Sequence, residues 1–320
     1  MKKYLWKVAR WLHHLDFAYA LPLMVRLPLK TAYTLGRWRG LLNGATGRDW
    51  RTMALGFRHI QKQTRIAYAE LAPEATEAQR ETWCRQRFMA EAMDEFEARW
   101  MSAGRGAELT CEFDPPNALD YCRDRSRGLV MLTPHFESFF LGASFLARSG
   151  ETVNAMSSAV TQDPRVDEAV QRHFHAKYRG LEQYLNGGKV INMEEGLRPF
   201  YEMLKRQEML VVLADAPVLP NGASMTVRFL GAARKIAGGA LRIAQRTDSD
   251  IGAYLCIPVR KGHYKIVFLP PAPAQDPDTI QRIYDFFTEN IMSHPGGWLA
   301  SDLLHALPKD TEEKPTSSPD

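Results

Sequence analysis

The chain has 320 residues, 45% of them hydrophobic and 24% charged, which is typical of a globular protein that buries a substantial core. Its four cysteines show neither CxxC spacing nor histidines at metal-ligand intervals: Cys84, Cys111, Cys122 and Cys256. This pattern argues against a disulfide framework or a zinc site and fits a reducing compartment. The glycine pairs at 187–188 and 238–239 lack the motif of a phosphate loop, so we expect no nucleotide, flavin or metal cofactor.

The N-terminal segment, residues 1–66, is strongly basic. It holds thirteen Lys and Arg against two acidic residues, although the whole chain has a net charge of only +4. Aromatic and aliphatic residues are interspersed among the basic ones, a mixture typical of helices at a membrane interface. We therefore predict a basic amphipathic segment that associates with a membrane; the alternative is an amphipathic helix packed on the body of the protein.

The longest apolar stretch of this segment, residues 17–25, contains Pro22. It is far shorter than the roughly 20 residues that a helix needs to cross a bilayer, so we expect peripheral or monotopic association. No RNP, zinc-finger or helix-turn-helix pattern accompanies the positive charge, and we expect no nucleic-acid partner.

After this segment the hydrophobic pattern alternates between helical and strand spacing. Apolar residues at three-to-four spacing predict a long helix over residues 76–100. Short apolar runs predict buried strands at 128–133, 209–214, 251–258 and 264–269. Helical patterns cover 136–149, 166–178, 194–206, 238–246 and 277–293. We predict one α/β domain over residues 67–307, with helices on both sides of its sheet, and a disordered tail over 308–320.

The first predicted strand runs into a block that could carry chemistry, Leu-Thr-Pro-His-Phe-Glu-Ser at residues 132–138. Thr133 is a suitable N-cap and Pro134 a suitable first residue, so we predict that a helix begins here. His135 and Glu137 fall outside the apolar face of that helix, at a strand exit, where open α/β sheets place ligands. The same residues also fit a helix start without catalysis, since the macrodipole stabilises an acid there.

Several motifs follow one another between residues 51 and 305. They are Tyr68 to Arg80 (Y…L.PE.T..QR), the strand and histidine block at 128–142, Asp163-Pro-Arg-Val-Asp167 with Tyr178-Arg-Gly180, the run at 204–215, and Val227 to Gly231 continuing through 238–258. In order and spacing they resemble the bacterial lysophospholipid acyltransferase superfamily and, within it, the lipid A late acyltransferases (lauroyl and myristoyl transferases). The resemblance implies a mixed, mostly parallel sheet covered by helices, as in glycerol-phosphate acyltransferases.

The resemblance also implies acyl transfer from a thioester of acyl carrier protein or coenzyme A to a hydroxyl or amine of a lipid or lipid-linked sugar. The reaction would take place at the cytoplasmic face of a bacterial inner membrane. The family is thought to use direct attack, and the chain has no GxSxG motif for an acyl-enzyme. A non-catalytic protein of the same fold that binds acyl chains or an acyl carrier is the alternative, and a soluble thioesterase is a third possibility.

The resemblance implies that His135 is the general base, and in that family a carboxylate follows the histidine five residues later. Phe140 stands at that place. We hypothesise that Glu137 takes over the task of the acid; alternatively, Asp215 orients the histidine, or transferase activity is lost. The resemblance further suggests a substrate-binding role for Asp215, which matches the position of an acid of the family. It suggests the same role for Arg179 and Arg228, because the arginine of the family after the second strand is missing, with Ala159 near its place. The phenylalanines of the histidine block either line an acyl groove or belong to the core: Phe136, Phe139, Phe140 and Phe145.

Overall fold

A computed structural model describes residues 2–158, 163–220 and 222–310, with side chains from Trp6 onward. Its centre is a seven-stranded sheet with the order β1-β9-β8-β2-β5-β3-β4. The strands are β1 (Thr110–Asp114), β2 (Leu129–Thr133), β3 (Val153–Ser157), β4 (Val190–Asn192), β5 (Met209–Leu213), β8 (Asp250–Arg260) and β9 (His263–Pro273). Within this sheet, as far as the structure describes the chain, β8 and β9 pair antiparallel and all other neighbours pair parallel, so the predicted mixed, mostly parallel sheet is confirmed. A separate hairpin is formed by β6 (Ser224–Phe229) and β7 (Ala232–Ala237).

Helices cover the sheet. They are α1 (Lys2–Leu15), α2 (Leu21–Met24), α3 (Leu29–Thr46), α4 (Ile60–Leu71), α5 (Glu77–Ser102), α6 (Ala118–Arg123), α7 (Phe139–Leu146), α8 (Glu168–Glu182), α9 (Arg198–Lys205), α10 (Gly239–Arg246) and α11 (Pro277–Ser293). Short π-helical turns at Asp16–Ala20 and Arg51–Leu55 connect the first elements. The long predicted helix is α5, which begins at a capping box between Thr76 and Gln79.

The middle of the sheet is the most apolar part of the fold. All five side chains of β2 are buried, because β5 and β8 flank the strand and helices cover both faces. A parallel strand buried on both faces shows a continuous apolar run rather than alternation, which is how β2, β5 and β8 were predictable. The strands β1, β3 and β4 are short and mix polar with apolar residues, so no such run indicates them.

The N-terminal segment packs on the domain with one side and leaves the other side exposed. Phe17, Leu21 and Tyr33 belong to the same buried cluster as Leu129 and Met131 of β2. Arg39 is buried and forms ion pairs with Asp16, at 2.7 Å, and with Glu95 of α5, at 2.5 Å. Among the residues that the structure describes, no helix combines the length and the hydrophobicity required to span a membrane.

The prediction that a helix begins at Pro134 is wrong, because α7 begins at Phe139. The intervening backbone N–H groups bond to other segments: that of Glu137 to the carbonyl of Gly297, at 2.8 Å, and that of Ser138 to the carbonyl of Cys256, at 3.2 Å. Glu137 also has a φ of 48°, in the left-handed region that interrupts a helix. Residues 134–138 therefore form a loop.

Helix α7 then packs closely on β8. A Cβ atom at Gly142 would come within 2.0 Å of the ring of Tyr254, so this contact requires glycine. At the other end of the domain, the first residues of the predicted tail pair with β7: Lys235 N–H donates to Pro308 and Asp310 N–H donates to Ala233. The remainder of that tail, residues 311–320, lies outside the described part of the chain.

Candidate active site

The imidazole of His135 and the carboxylate of Asp215 form a closely bonded pair. The His135 Nδ1 atom lies 2.7 Å from Asp215 Oδ1, and the His135 backbone N–H donates to Asp215 Oδ2 at 2.9 Å. The indole of Trp298 donates to the same Oδ2 atom at 2.8 Å. Only 1% of the Asp215 side chain is exposed, against 31% for His135. The carboxylate is thus fixed in place while the imidazole remains accessible.

The register of the sheet explains why these residues meet. Strands β2 and β5 are parallel neighbours in which Thr133 pairs with Leu213, and the Ala214 N–H donates to the Thr133 carbonyl at 2.9 Å. His135 and Asp215 each lie two residues beyond that pair, at the same carboxyl edge of the sheet. This edge is where parallel sheets place functional side chains.

The pair also sets the protonation of both groups. Burial lowers the pKa of His135, but the charge and hydrogen bond of Asp215 outweigh burial, and the pKa is raised above its ordinary value. Burial raises the pKa of Asp215, but His135 and the Trp298 hydrogen bond outweigh it, and the pKa is lowered. An ionised carboxylate can only accept, so Nδ1 of His135 carries the proton that lies between them. Nε2 is then left as the basic atom, without a hydrogen-bond partner in the described residues.

Glu137 does not contact the imidazole as hypothesised. Its carboxylate lies 2.9 Å from Nε2 of His294, and its backbone bonds to Gly297. The Glu137 side chain thus faces the segment that follows α11. The expected pairing is therefore wrong, and the alternative in which Asp215 orients the histidine agrees with the contacts.

A cavity of about 370 Å³ opens beside His135, over the carboxyl ends of β2, β3 and β5. Its wall is mostly apolar and includes the aromatic side chains of Trp50, Phe57, Phe139, Phe140, Phe174, Tyr178 and Tyr254. Of the four phenylalanines weighed for an acyl groove, Phe139 and Phe140 line the cavity, whereas Phe136 and Phe145 are buried in the core. A largely apolar cavity of this size suits a small apolar ligand or part of an acyl chain.

Charged side chains also line the cavity, at Arg51, Glu91, Asp94, Glu95 and Lys177. The ammonium of Lys177 lies 2.5 Å from Asp94 Oδ2, and both side chains are less than a tenth exposed. The same ammonium lies 4.3 Å from the centre of the Phe140 ring, a cation–π distance. Phe140 stands where the resemblance predicts a carboxylate. Arg51 also lines the cavity and pairs with Asp302 at 2.9 Å.

The structure does not bring Arg179 or Arg228 to the wall of this cavity. Arg179 is exposed on α8. Arg228 is on the β6–β7 hairpin, with three quarters of its side chain exposed and Asp285 at 3.8 Å. Ala159 lies outside the described residues.

Sequence reasoning missed three side chains of the site: Trp298, Lys177 and Arg51. Trp298 lies more than eighty positions from Asp215 in the chain, and nothing in the sequence marks it as a hydrogen-bond donor to that acid. Lys177 directly precedes the Tyr178-Arg-Gly180 motif, which is the one signal that could have drawn attention to it.

The fold and the site together define an α/β protein with a histidine–aspartate pair at the wall of an apolar cavity, an arrangement suited to general-base catalysis. The family model described as bacterial lipid A biosynthesis acyltransferase matches residues 50–305. The chain belongs to this family, and the resemblance found in its motifs is thereby confirmed. Membership implies an acyltransferase that acts at the bacterial membrane. No match was found among curated protein sequences.

Proposed function

We propose that the protein transfers an acyl chain from a thioester to a hydroxyl or amine of a lipid or lipid-linked sugar, with His135 as general base. As the acceptor oxygen attacks the thioester carbonyl, Nε2 of His135 takes its proton, a C–O bond forms, and a tetrahedral intermediate results. Its collapse breaks the C–S bond, and the proton passes from His135 to the departing thiolate. Asp215 keeps Nδ1 protonated and stabilises the imidazolium in between.

The observation that carries this proposal is the position of His135 between a fixed acid and an apolar cavity. Asp215 binds both the ring and the backbone of His135, so the free nitrogen has a defined direction. The aromatic wall begins next to it, with the centres of the His135 and Phe139 rings 5.1 Å apart. A chain lying along that wall would present its thioester carbon near the basic nitrogen.

Acyl carrier protein or coenzyme A is the proposed donor carrier, because the family resemblance implies a thioester. The acceptor is proposed to be a lipid or glycolipid, which reaches the site from a membrane surface. The residues of this chain perform the proton transfer and the binding of the acyl chain, and the thioester supplies the activated carbonyl.

We further propose that the exposed side of the N-terminal segment binds the cytoplasmic face of the inner membrane as a peripheral or monotopic contact. On α3, Leu35, Trp38 and Leu42 form an exposed apolar stripe opposite the buried side of the helix. Trp11 and Tyr19 add exposed aromatic rings upstream. Exposed basic residues accompany them at Lys7, Arg10, Arg26, Lys30, Arg37 and Arg48. Rings and cations together suit an anionic headgroup layer.

The test of the transfer is a reaction of the purified protein with a fatty acyl thioester in vesicles that contain a candidate acceptor lipid. Mass spectrometry should show an acceptor heavier by one acyl group, together with one equivalent of free thiol. Thiol release without acylated lipid would identify a thioesterase. Binding of the thioester without release of thiol, across a range of acceptors, would identify an accessory protein.

A further inference from the structure

One side chain on the cavity wall is a polar ring without a hydrogen-bond partner in the described residues. His173 lines the cavity from α8, is only 4% exposed, and finds no hydrogen-bond partner for either ring nitrogen in the described residues. Polar atoms that are buried in this way are usually bonded, because leaving them unpaired is costly. The position therefore suggests a group that is supplied by a ligand.

Contacts between side chains of the cavity wall connect His173 to the proposed catalytic histidine. The Phe139 ring contacts His135 at 5.1 Å and the Lys177 ammonium at 5.3 Å. The Phe174 ring in turn lies 6.0 Å from that ammonium and 5.7 Å from the His173 ring. The sequence of contacts thus runs from His135 through Lys177 to His173. A chain with its thioester at His135 would meet His173 several carbons further on.

The chemistry of the site selects a neutral polar group. Burial and the nearby charge of Lys177 hold the pKa of His173 well below its ordinary value, so the ring is neutral, with one donor and one acceptor nitrogen. The charge of Lys177 is already balanced by Asp94. An ionised ligand group would lack a counter-charge here, and its desolvation would be unfavourable. A hydroxyl can accept from the protonated nitrogen or donate to the unprotonated one, so it can bond to a neutral imidazole in either tautomer.

We propose that the cavity selects acyl chains that carry a hydroxyl several carbons away from the thioester, and that His173 binds this hydroxyl. The inference rests on the proposed acyl transfer. His173 is a specificity residue in this scheme, since it touches the chain and not the reacting atoms. Lys177 lies one turn further along α8 and pairs with Asp94 of α5. These two side chains provide polar groups near the hydroxyl.

The test compares a fatty acyl thioester with hydroxylated thioesters of the same length, with the hydroxyl near the thioester, in mid-chain or at the chain end. We expect a mid-chain or distal hydroxyl to raise kcat/KM by about tenfold or more over the plain chain, because a site built for a hydroxyl rejects the analogue that lacks it. His173→Phe should reduce this ratio to about one. His173→Gln, which keeps a donor and an acceptor, should retain part of it.

The control variant is His175→Phe, on the same helix but exposed, which should keep the ratio of the unmodified protein. Binding of the corresponding free fatty acids to the His135→Ala variant measures the same preference without turnover. Transfer that proceeds equally well with plain and hydroxylated chains would overturn the inference and leave the proposed function intact. Absence of transfer from every donor would instead contradict the proposed function, while the binding measurement still decides the preference.

Discussion

Asp215 binds both the ring and the backbone of His135, although eighty positions separate the two residues in the chain. One carboxylate thereby fixes the orientation of the imidazole and the path of the loop that carries it. The acid is itself held by the indole of Trp298. The resemblance predicts an acid five residues after the histidine, whereas the acid that contacts the imidazole follows the neighbouring strand β5.

Asp215→Asn is expected to lower kcat about a hundredfold to ten-thousandfold, because the amide no longer fixes the tautomer or stabilises the imidazolium. The pH profile should change as well. His135 must be neutral to act as base, and its raised pKa places the acid limb of kcat/KM above about 6.5 in the unmodified protein. Without the charge of Asp215, burial dominates and moves this limb to lower pH. An unchanged limb in the variant would show that another group governs the profile.

Glu137→Gln is expected to reduce kcat by less than about tenfold, because the side chain contacts His294 and not the imidazole of His135. The hydrogen bond of Glu137 raises the pKa of His294, so the variant should lower that pKa. NMR titration of the His294 ring would detect the change. A loss of kcat as large as that of Asp215→Asn would assign the orienting role to Glu137 after all.

The sequence was most informative where one physical requirement dominates. Strands that are buried on both faces need apolar runs, so β2, β5 and β8 were predictable, and with them the strand exit that carries His135. The loop at 134–138 was not predictable. Thr133 and Pro134 favour a helix start locally, but bonds to Asp215, Gly297 and Cys256 outweigh that preference, and all three partners are distant in sequence.

The partner of His135 depended on sheet register in the same way. Asp215 was recognisable as a strand-end acid, but only the pairing of Thr133 with Leu213 brings it to the imidazole. The ion pair of Lys177 with Asp94 and the unpartnered ring of His173 arise where α8 packs on α5, a contact that no local motif encodes.

Replacing Trp11 and Trp38 together by serine is expected to weaken binding to anionic vesicles by about tenfold or more, since both rings are over half exposed and would bury their apolar surface in the interface. Vesicle co-sedimentation measures this. Added salt should weaken binding further, because the exposed Lys and Arg contribute through charge. Leu197→Ser, at an exposed apolar residue before α9, serves as control. Equal binding of the double variant and the control would contradict the assignment of this surface.

Glu97→Gln is expected to stabilise the protein at alkaline pH. Glu97 is 2% exposed, and burial outweighs the hydrogen bonds of Ser138 and Tyr264 and raises its pKa from 4.5 to about 8. Because the unfolded chain loses this proton near pH 4.5 and the folded chain only near 8, folding stability falls between these values. The variant should avoid that loss. Its melting temperature should therefore exceed that of the unmodified protein by a few degrees at pH 8 but not at pH 5. An equal melting temperature difference at both pH values would contradict this account.

The most direct test of the proposed chemistry is the effect of His135→Ala on acyl transfer by the folded protein. With a fatty acyl thioester and an acceptor lipid, the unmodified protein should yield lipid heavier by one acyl group. The variant should form this product at least about a hundredfold more slowly, while its melting curve and its binding of the fatty acid are retained. Transfer by the variant at the rate of the unmodified protein would contradict the assignment of His135 as the general base.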